Sequence, residues 1–141
     1  MKVFLDTNVV IDFYDQRGQF YYPAAVIFDL AYKGKIEIYV SAITFVNAFF
    51  ILRKSYTRKE LYASLSGLAS LCIITEVNKT IIERCLHDER KDFEDSVQYS
   101  SSLLHQVDVV VTRNVKDFKE FADNVCTPSE LLEQILSGEE N

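Results

Sequence analysis

Residues 2–8 read KVFLDTN, an apolar run that ends on three polar side chains, Asp6, Thr7 and Asn8. A short run of this kind is typical of a buried strand. In open parallel sheets, functional groups collect beyond the carboxyl ends of the strands, where the loops leave the sheet. This stretch therefore predicts a first strand over residues 2–6 that places a carboxylate at the functional edge of a sheet.

Along the rest of the chain, short apolar runs alternate with helical patterns, the order that builds a parallel sheet covered by helices on both faces. Further strands are predicted at residues 36–40, 71–74 and 108–112 and near Val125. The fold class is therefore α/β, a single-domain three-layer α/β/α sandwich with a central parallel sheet. We expect residues 1–136 to form this domain and residues 137–141 to be a frayed tail.

Capping residues mark the starts of several helices. The predicted N-caps are Ser41, Thr57, Asn78 and Thr127. Thr57 and Thr127 are each followed three residues later by a glutamate, which is the spacing of a capping box. Pro23 suits the first turn of another helix, which ends near Gly34.

A helix predicted from about residue 91 to 105 carries two carboxylates, Asp92 and Asp95, which are three residues apart and therefore project from the same side. Next to them runs an apolar stripe of Phe93, Val97 and Leu104. If this stripe packs on the sheet, the two aspartates lean over the strand ends. Asp117, which follows the strand at 108–112, approaches the same edge.

Carboxylates gathered at one edge repel one another unless a cation compensates their charge, and hard oxygen ligands of this kind suit Mg²⁺ or Mn²⁺. Each acid also has an ordinary structural explanation. Asp6 could cap a helix that begins at Thr7. Asp92 and Asp95 could belong to a solvated charged face. Asp117 could be a local turn acceptor.

The composition of the 141-residue chain limits the classes of protein that it can be. A net charge of −6 argues against a broad basic surface for nucleic acid, although local cations can surround an acidic site. Candidate rim cations are Arg53, Lys54, Arg58, Lys59, Arg113 and Lys116. No apolar run approaches the about 18 residues that span a bilayer, so we expect no membrane association. The N-terminus lacks the apolar core of a secretory signal, so we expect a cytoplasmic protein. The odd number of cysteines cannot form a closed disulfide set, so we expect reduced thiols at Cys72, Cys85 and Cys126.

Four segments, in their order and spacing, resemble the PIN-domain family of metal-dependent ribonucleases, and in particular its VapC-like toxins. The segments are FLDTN (4–8), SAITFVN (41–47), DFEDSVQYSSS (92–102) and VTRNVKDF (111–118). The resemblance covers nearly the whole chain. It implies a Mg²⁺- or Mn²⁺-dependent endoribonuclease that hydrolyses RNA phosphodiester bonds. It also implies the toxin of a type II toxin-antitoxin pair, with an antitoxin partner and a homodimeric state.

The resemblance also implies the roles of individual residues. The catalytic, metal-binding acids are Asp6, Asp95 and Asp117, with Asp92 as an additional carboxylate. The supporting polar residues are Thr7, Asn8, Asn47, Thr112 and Asn114. Position 47 departs from the common family pattern, which has a glutamate there, because asparagine offers a neutral carbonyl oxygen and no negative charge. A branch of the family carries this asparagine, and Asp92 is expected to restore the missing charge.

Two other functions start from the same residues. A protein that kept the fold but lost a competent site would be a non-catalytic RNA-binding or scaffold PIN-like protein, and Asn47 motivates this alternative. A haloacid-dehalogenase-like phosphatase also begins with an aspartate at a strand end. That class needs a second aspartate two residues later, and here the residue is Asn8.

Overall fold

The structure, a computed structural model, describes residues 1–140, with side chains through residue 138. The strands are β1 (Lys2–Leu5), β2 (Glu37–Ser41), β3 (Cys72–Thr75), β4 (Val109–Val111) and β5 (Val125–Cys126). The helices are α1 (Thr7–Tyr14), α2 (Gly18–Tyr32), α3 (Ala42–Leu52), α4 (Arg58–Leu71), α5 (Lys79–Asp88), α6 (Phe93–Leu103), α7 (Val115–Phe118) and α8 (Pro128–Glu140). The five predicted strands are all present, with ends that differ by one residue or two.

The strands form one parallel sheet in the order β3-β2-β1-β4-β5, with β1 at its centre. Side chains alternate between the faces of this sheet. Val3 and Leu5 belong to the larger core, which contains buried side chains of α1, α2, α3, α4 and α8, whereas Phe4 packs on the other side with Val110 and Phe118. The predicted three-layer α/β fold is confirmed.

The predicted helix caps are observed as hydrogen bonds. Ser41 and Asn78 accept bonds from backbone N–H groups of α3 and α5, and Thr57 and Thr127 both form complete capping boxes. The prediction for Pro23 was wrong, because α2 begins at Gly18 and holds the proline in its interior. The polar and aromatic residues before Pro23 continue the helical pattern toward the N-terminus, so the proline did not mark its start.

The predicted apolar stripe of α6 was also wrong in part. Val97 is fully buried against Ile81 and Cys85 of α5, but Phe93 and Leu104 are 45% and 50% exposed. The buried side of α6 is instead largely polar, including Ser96, Gln98, Ser100, Ser101 and Ser102. Several of these side chains are satisfied by hydrogen bonds, such as the 2.6 Å contact between the hydroxyls of Ser101 and Thr75. Such bonds allow polar groups to be buried.

Helix α8 continues to Glu140, and Asn141 lies outside the described residues, so the predicted domain boundary at residue 136 stays a prediction. Cys72, Cys85 and Cys126 are free thiols, as predicted. Among the described residues, no helix has both the length and the apolar character needed to cross a membrane.

Candidate active site

Asp6 lies directly after the central strand and is 3% exposed. Its Oδ1 accepts a hydrogen bond from the backbone N–H of Thr7 at 2.7 Å, which caps α1. Its Oδ2 accepts bonds from Asn8 Nδ2 at 3.0 Å and Thr112 Oγ1 at 2.7 Å. Thr112 reaches Asp6 because Leu5 and Val111 are paired in neighbouring parallel strands. Asp6 is therefore both a helix cap and a buried carboxylate fixed at the carboxyl edge of the sheet.

The ionisation of Asp6 is set by opposing effects. Burial raises its pKa, because the charged form loses hydration, and the nearby charge of Glu94 raises it further. Hydrogen bonds from the Thr112 hydroxyl and the Thr7 backbone N–H, and the nearby amide of Gln98, favour the carboxylate and lower the pKa of Asp6, which offsets part of this rise. Hydrogen-bond donors thus stabilise the charged form of Asp6, although its burial disfavours that form.

Asp92 and Asp95 lie at the start of α6 and line the same cavity as Asp6. Asp92 is the N-cap of this helix, and its Oδ1 accepts a bond from the backbone N–H of Asp95 at 2.9 Å. Asp95 is 6% exposed, and its Oδ2 is buried with no hydrogen-bond partner among the described residues. Burial and the negative charges of Asp6, Asp92, Glu94 and Asp117 raise the pKa of Asp95 to about 7. The acids are thus close enough to act on one another.

A cavity of about 250 Å³ opens among these groups. Six of the predicted site residues line it: Asp6, Thr7, Asn8, Asp92, Asp95 and Asn114. Three others, Asn47, Thr112 and Asp117, are not among the described residues that line it. Thr112 acts through its bond to Asp6, and Asp117 is exposed on α7 while its charge still acts on Asp95.

Asn47 is half-buried in α3, three residues after Thr44 and four before Ile51. These spacings place the three residues on one side of the helix. Thr44 bonds to Thr7, and Ile51 lines the cavity. Asn47 thus lies on the side of α3 that faces the acids.

Sequence reasoning missed three residues of the site. Glu94 and Arg17 line the cavity, and Gln98 is fully buried beside it with bonds to Thr7 and Glu94. Glu94 and Gln98 are four residues apart in α6, so their helical spacing was a usable signal. Arg17 gave no such signal, because it is brought to the acids by the turn between α1 and α2.

Arg113, which was predicted as a rim cation, is held by a buried acid. Its Nε lies 2.6 Å from Asp12 Oδ2 and its Nη2 lies 3.1 Å from Asp12 Oδ1, while its guanidinium covers the ring of Phe20 at 4.3 Å. Its backbone N–H donates to Asn8 Oδ1 at 3.3 Å. Arg113 therefore fixes the loop after β4 against α1 and, through Asn8, supports Asp6.

The donor set fits a hard divalent cation. Carboxylate oxygens are the ligands that Mg²⁺ and Mn²⁺ prefer. The buried Oδ2 of Asp95, which has no hydrogen-bond partner among the described residues, is a ligand atom that a bound cation would satisfy. Within the part of the chain that the structure describes, however, no three His, Cys, Asp or Glu side chains are grouped closely enough to hold an ion. Asp6 and Asp95 form the buried part of the site, and Asp92, Glu94 and Asp117 surround it.

The fold and this site define an α/β protein with mutually interacting carboxylates at the carboxyl edge of a five-stranded parallel sheet. A PIN domain family model matches residues 2–116, so the chain belongs to the PIN domain family.

Individual proteins are similar over nearly the whole length. Ribonuclease VapC1 of Aquifex aeolicus (strain VF5) is 23% identical over 138 residues, covering 94% of each chain. A toxin-antitoxin complex from Klebsiella pneumoniae contains a chain with a TM-score of 0.65 and 24% identity, covering 89% of this chain and 97% of that one. VapBC2 from Rickettsia felis, bound to a DNA fragment from its promoter, has a TM-score of 0.65 at 18% identity, covering 90% and 98%. The predicted family resemblance is confirmed.

Proposed function

We propose that this protein is a metal-dependent endoribonuclease that hydrolyses RNA phosphodiester bonds. The observation that carries the proposal is the buried, unbonded Oδ2 of Asp95 beside Asp6 at the edge of a PIN-domain sheet. A carboxylate that is desolvated among other acids is costly to the fold, and such groups cluster at functional sites. The likeness to a protein described as a ribonuclease supports the same activity.

In this proposal Mg²⁺ or Mn²⁺ is held by Asp6 and Asp95, with Asp92 and Asp117 as the remaining acids. The bound ion would lower the pKa of a water molecule and polarise the phosphodiester. The protein keeps the ligands in place: Thr7, Asn8 and Thr112 fix the orientation of Asp6 by their hydrogen bonds. Asp92 caps α6 with one oxygen and lines the cavity.

Incubation of the purified protein with a mixed single-stranded RNA tests this function. We expect cleavage with Mn²⁺, no cleavage with excess EDTA, and recovery of cleavage when Mn²⁺ is added back. Binding of RNA without cleavage under all of these conditions would contradict the proposal. That result would support the alternative, a non-catalytic RNA-binding or scaffold PIN-like protein. Two observations favour this alternative. No three acidic side chains of the described residues are grouped closely enough to hold an ion, and residue 47 is a neutral asparagine.

We further propose that the protein is the toxin of a type II toxin-antitoxin pair and acts in the cytoplasm, with an antitoxin as its partner. Solved relatives with this fold are toxin-antitoxin complexes. An apolar groove of about 650 Å³ between α3 and α4 gives an amphipathic antitoxin segment a surface to bind. Phe50 at its edge is 59% exposed, and the next residue, Ile51, lines the acidic cavity. The groove and the acids are therefore adjacent.

The proposed homodimer is tested by sedimentation of the purified chain over a range of concentrations. We expect the mass of two chains at micromolar concentration, because exposed apolar side chains such as Tyr22 and Tyr32 favour association. A mass of one chain at every concentration would contradict this part of the proposal.

A substitution at Asn47 tests whether this side of α3 contributes to metal binding. Asn47→Glu adds a carboxylate on that side, and we expect tighter Mn²⁺ binding. One charge-assisted contact is worth roughly 1.5 to 3 kcal/mol before repulsion from the other acids is subtracted. Calorimetric titration of both proteins with Mn²⁺ at fixed pH measures the difference. Equal affinities and stoichiometries would mean that residue 47 has no contact with the ion.

A further inference from the structure

A ring of hydrogen bonds connects three helices beneath the acidic cavity. Gln98 Nε2 donates to Thr7 Oγ1 at 3.2 Å, and Thr44 Oγ1 donates to Gln98 Oε1 at 3.4 Å. The hydroxyls of Thr7 and Thr44 are 2.8 Å apart. Since the single proton of Thr44 points to Gln98, Thr7 must donate to Thr44. The ring is therefore closed, with each of the three side chains donating to the next.

The second N–H of the Gln98 amide points out of this ring. It donates to Glu94 Oε1 at 3.2 Å, one turn earlier on α6. Gln98 and the two threonines are all buried, whereas Glu94 is exposed and lines the cavity. The ring alone could close in either direction, because both threonine hydroxyls can rotate. The carboxylate of Glu94 selects this direction, since a flipped amide would place the Gln98 carbonyl oxygen against Glu94 Oε1. The ring in turn holds an exposed glutamate at the rim of the acidic site.

Glu94 is placed to act on both buried acids. Its side chain lines the same cavity as Asp6 and Asp95. Asp92, the acid expected to replace the charge missing at position 47, and Glu94 each accept a hydrogen bond on one oxygen, and both line the cavity. Thr44, on the side of α3 that carries Asn47, is a member of the ring that leads to Glu94.

We propose that Glu94 is a further carboxylate of the metal site, supplying the charge that position 47 lacks, and that Gln98 is the residue that positions it. This inference rests on the proposed metal-dependent function. It concerns two residues that the acid pattern of the family resemblance does not include. It assigns Glu94 and Gln98 of the polar motif DFEDSVQ (92–98) to the same site as the two aspartates of that motif.

Glu94→Gln is the decisive variant, because a glutamine at this position still accepts the bond from Gln98 and only the charge is lost. We expect the Kd for Mn²⁺, measured by calorimetry, to rise about tenfold or more, the value of one charge-assisted contact. Glu133→Gln, which removes the charge of an exposed glutamate on α8, is the matched control and should leave the Kd unchanged. An unchanged Kd in Glu94→Gln would overturn the assignment of Glu94.

The positioning role of Gln98 is tested by a double-mutant cycle with Gln98→Met, which keeps the length of the side chain and removes its donors. We expect Gln98→Met to weaken Mn²⁺ binding in the wild-type background but to have little further effect in Glu94→Gln. Additive losses would overturn the positioning role. If Gln98→Met fails to fold, Gln98→Asn takes its place in the same cycle with Glu94→Gln. Gln98→Asn keeps the amide but shortens the reach of the side chain. A wild-type protein that binds no Mn²⁺ would instead refute the proposed function itself.

Discussion

Asp6→Asn is expected to abolish Mn²⁺-dependent RNA cleavage while the protein stays folded. Loss of a group that merely supports a metal ligand costs roughly 10- to 100-fold, so loss of a ligand should cost at least about 100-fold. The fold should persist because asparagine is a good N-cap and keeps the oxygen that accepts from Thr7. Removing a buried charge from the metal-free protein should leave its stability similar or higher.

Single-turnover cleavage rates with saturating Mn²⁺ measure this effect, and thermal unfolding in EDTA measures the stability. Asp123→Asn is a suitable control, because Asp123 is exposed and is not among the described residues that line the acidic cavity. Cleavage by Asp6→Asn at the wild-type rate would remove Asp6, and with it the proposed site, from the mechanism. Loss of cleavage together with loss of folding would mean that the cap of α1 dominates the role of Asp6.

The second large effect concerns pH and the metal-free protein. The pKa of Asp95 is about 7 in the folded protein, against an ordinary value of 3.8. Between these values the native state holds a proton that the unfolded state has lost, so the free energy of unfolding falls as the pH rises from about 4 to 7. A shift of this size corresponds to a loss of up to about 4 kcal/mol. The raised pKa of Asp6 acts in the same direction.

Asp95→Asn removes this titration. In EDTA we expect the variant to be more stable than wild type by about 2 to 4 kcal/mol at pH 8, with the difference shrinking toward zero near pH 4. Urea unfolding at a series of pH values gives both curves, and Asp123→Asn should follow the wild-type curve. Parallel curves for wild type and Asp95→Asn would show that Asp95 ionises in the folded state as it does in the unfolded chain.

The sequence by itself determined most of the fold, because periodicity and capping are local. The alternation of short apolar runs with helical patterns predicted the five strands of one parallel sheet, and the Thr57 and Thr127 boxes fixed two helix starts. The position of Asp6 at the strand end followed from the break in the apolar run. Pro23 gave a wrong prediction of a helix start, because α2 begins at Gly18 and tolerates the proline in its interior.

The tertiary structure alone decided what surrounds the acids. The apolar stripe predicted for α6 was wrong at Phe93 and Leu104, because that helix buries a hydrogen-bonded polar side, and hydrophobic patterns cannot predict bonds between distant residues. Gln98 meets Thr7 and Thr44 only after three helices pack together, at separations of 91 and 54 residues. The same packing removes water from Asp95 and brings Asp6 and Asp117 near it, in addition to Asp92 and Glu94 at the start of its own helix, and together these effects raise its pKa. A carboxylate can be read from the chain, but its desolvation and its neighbours exist only in the folded protein.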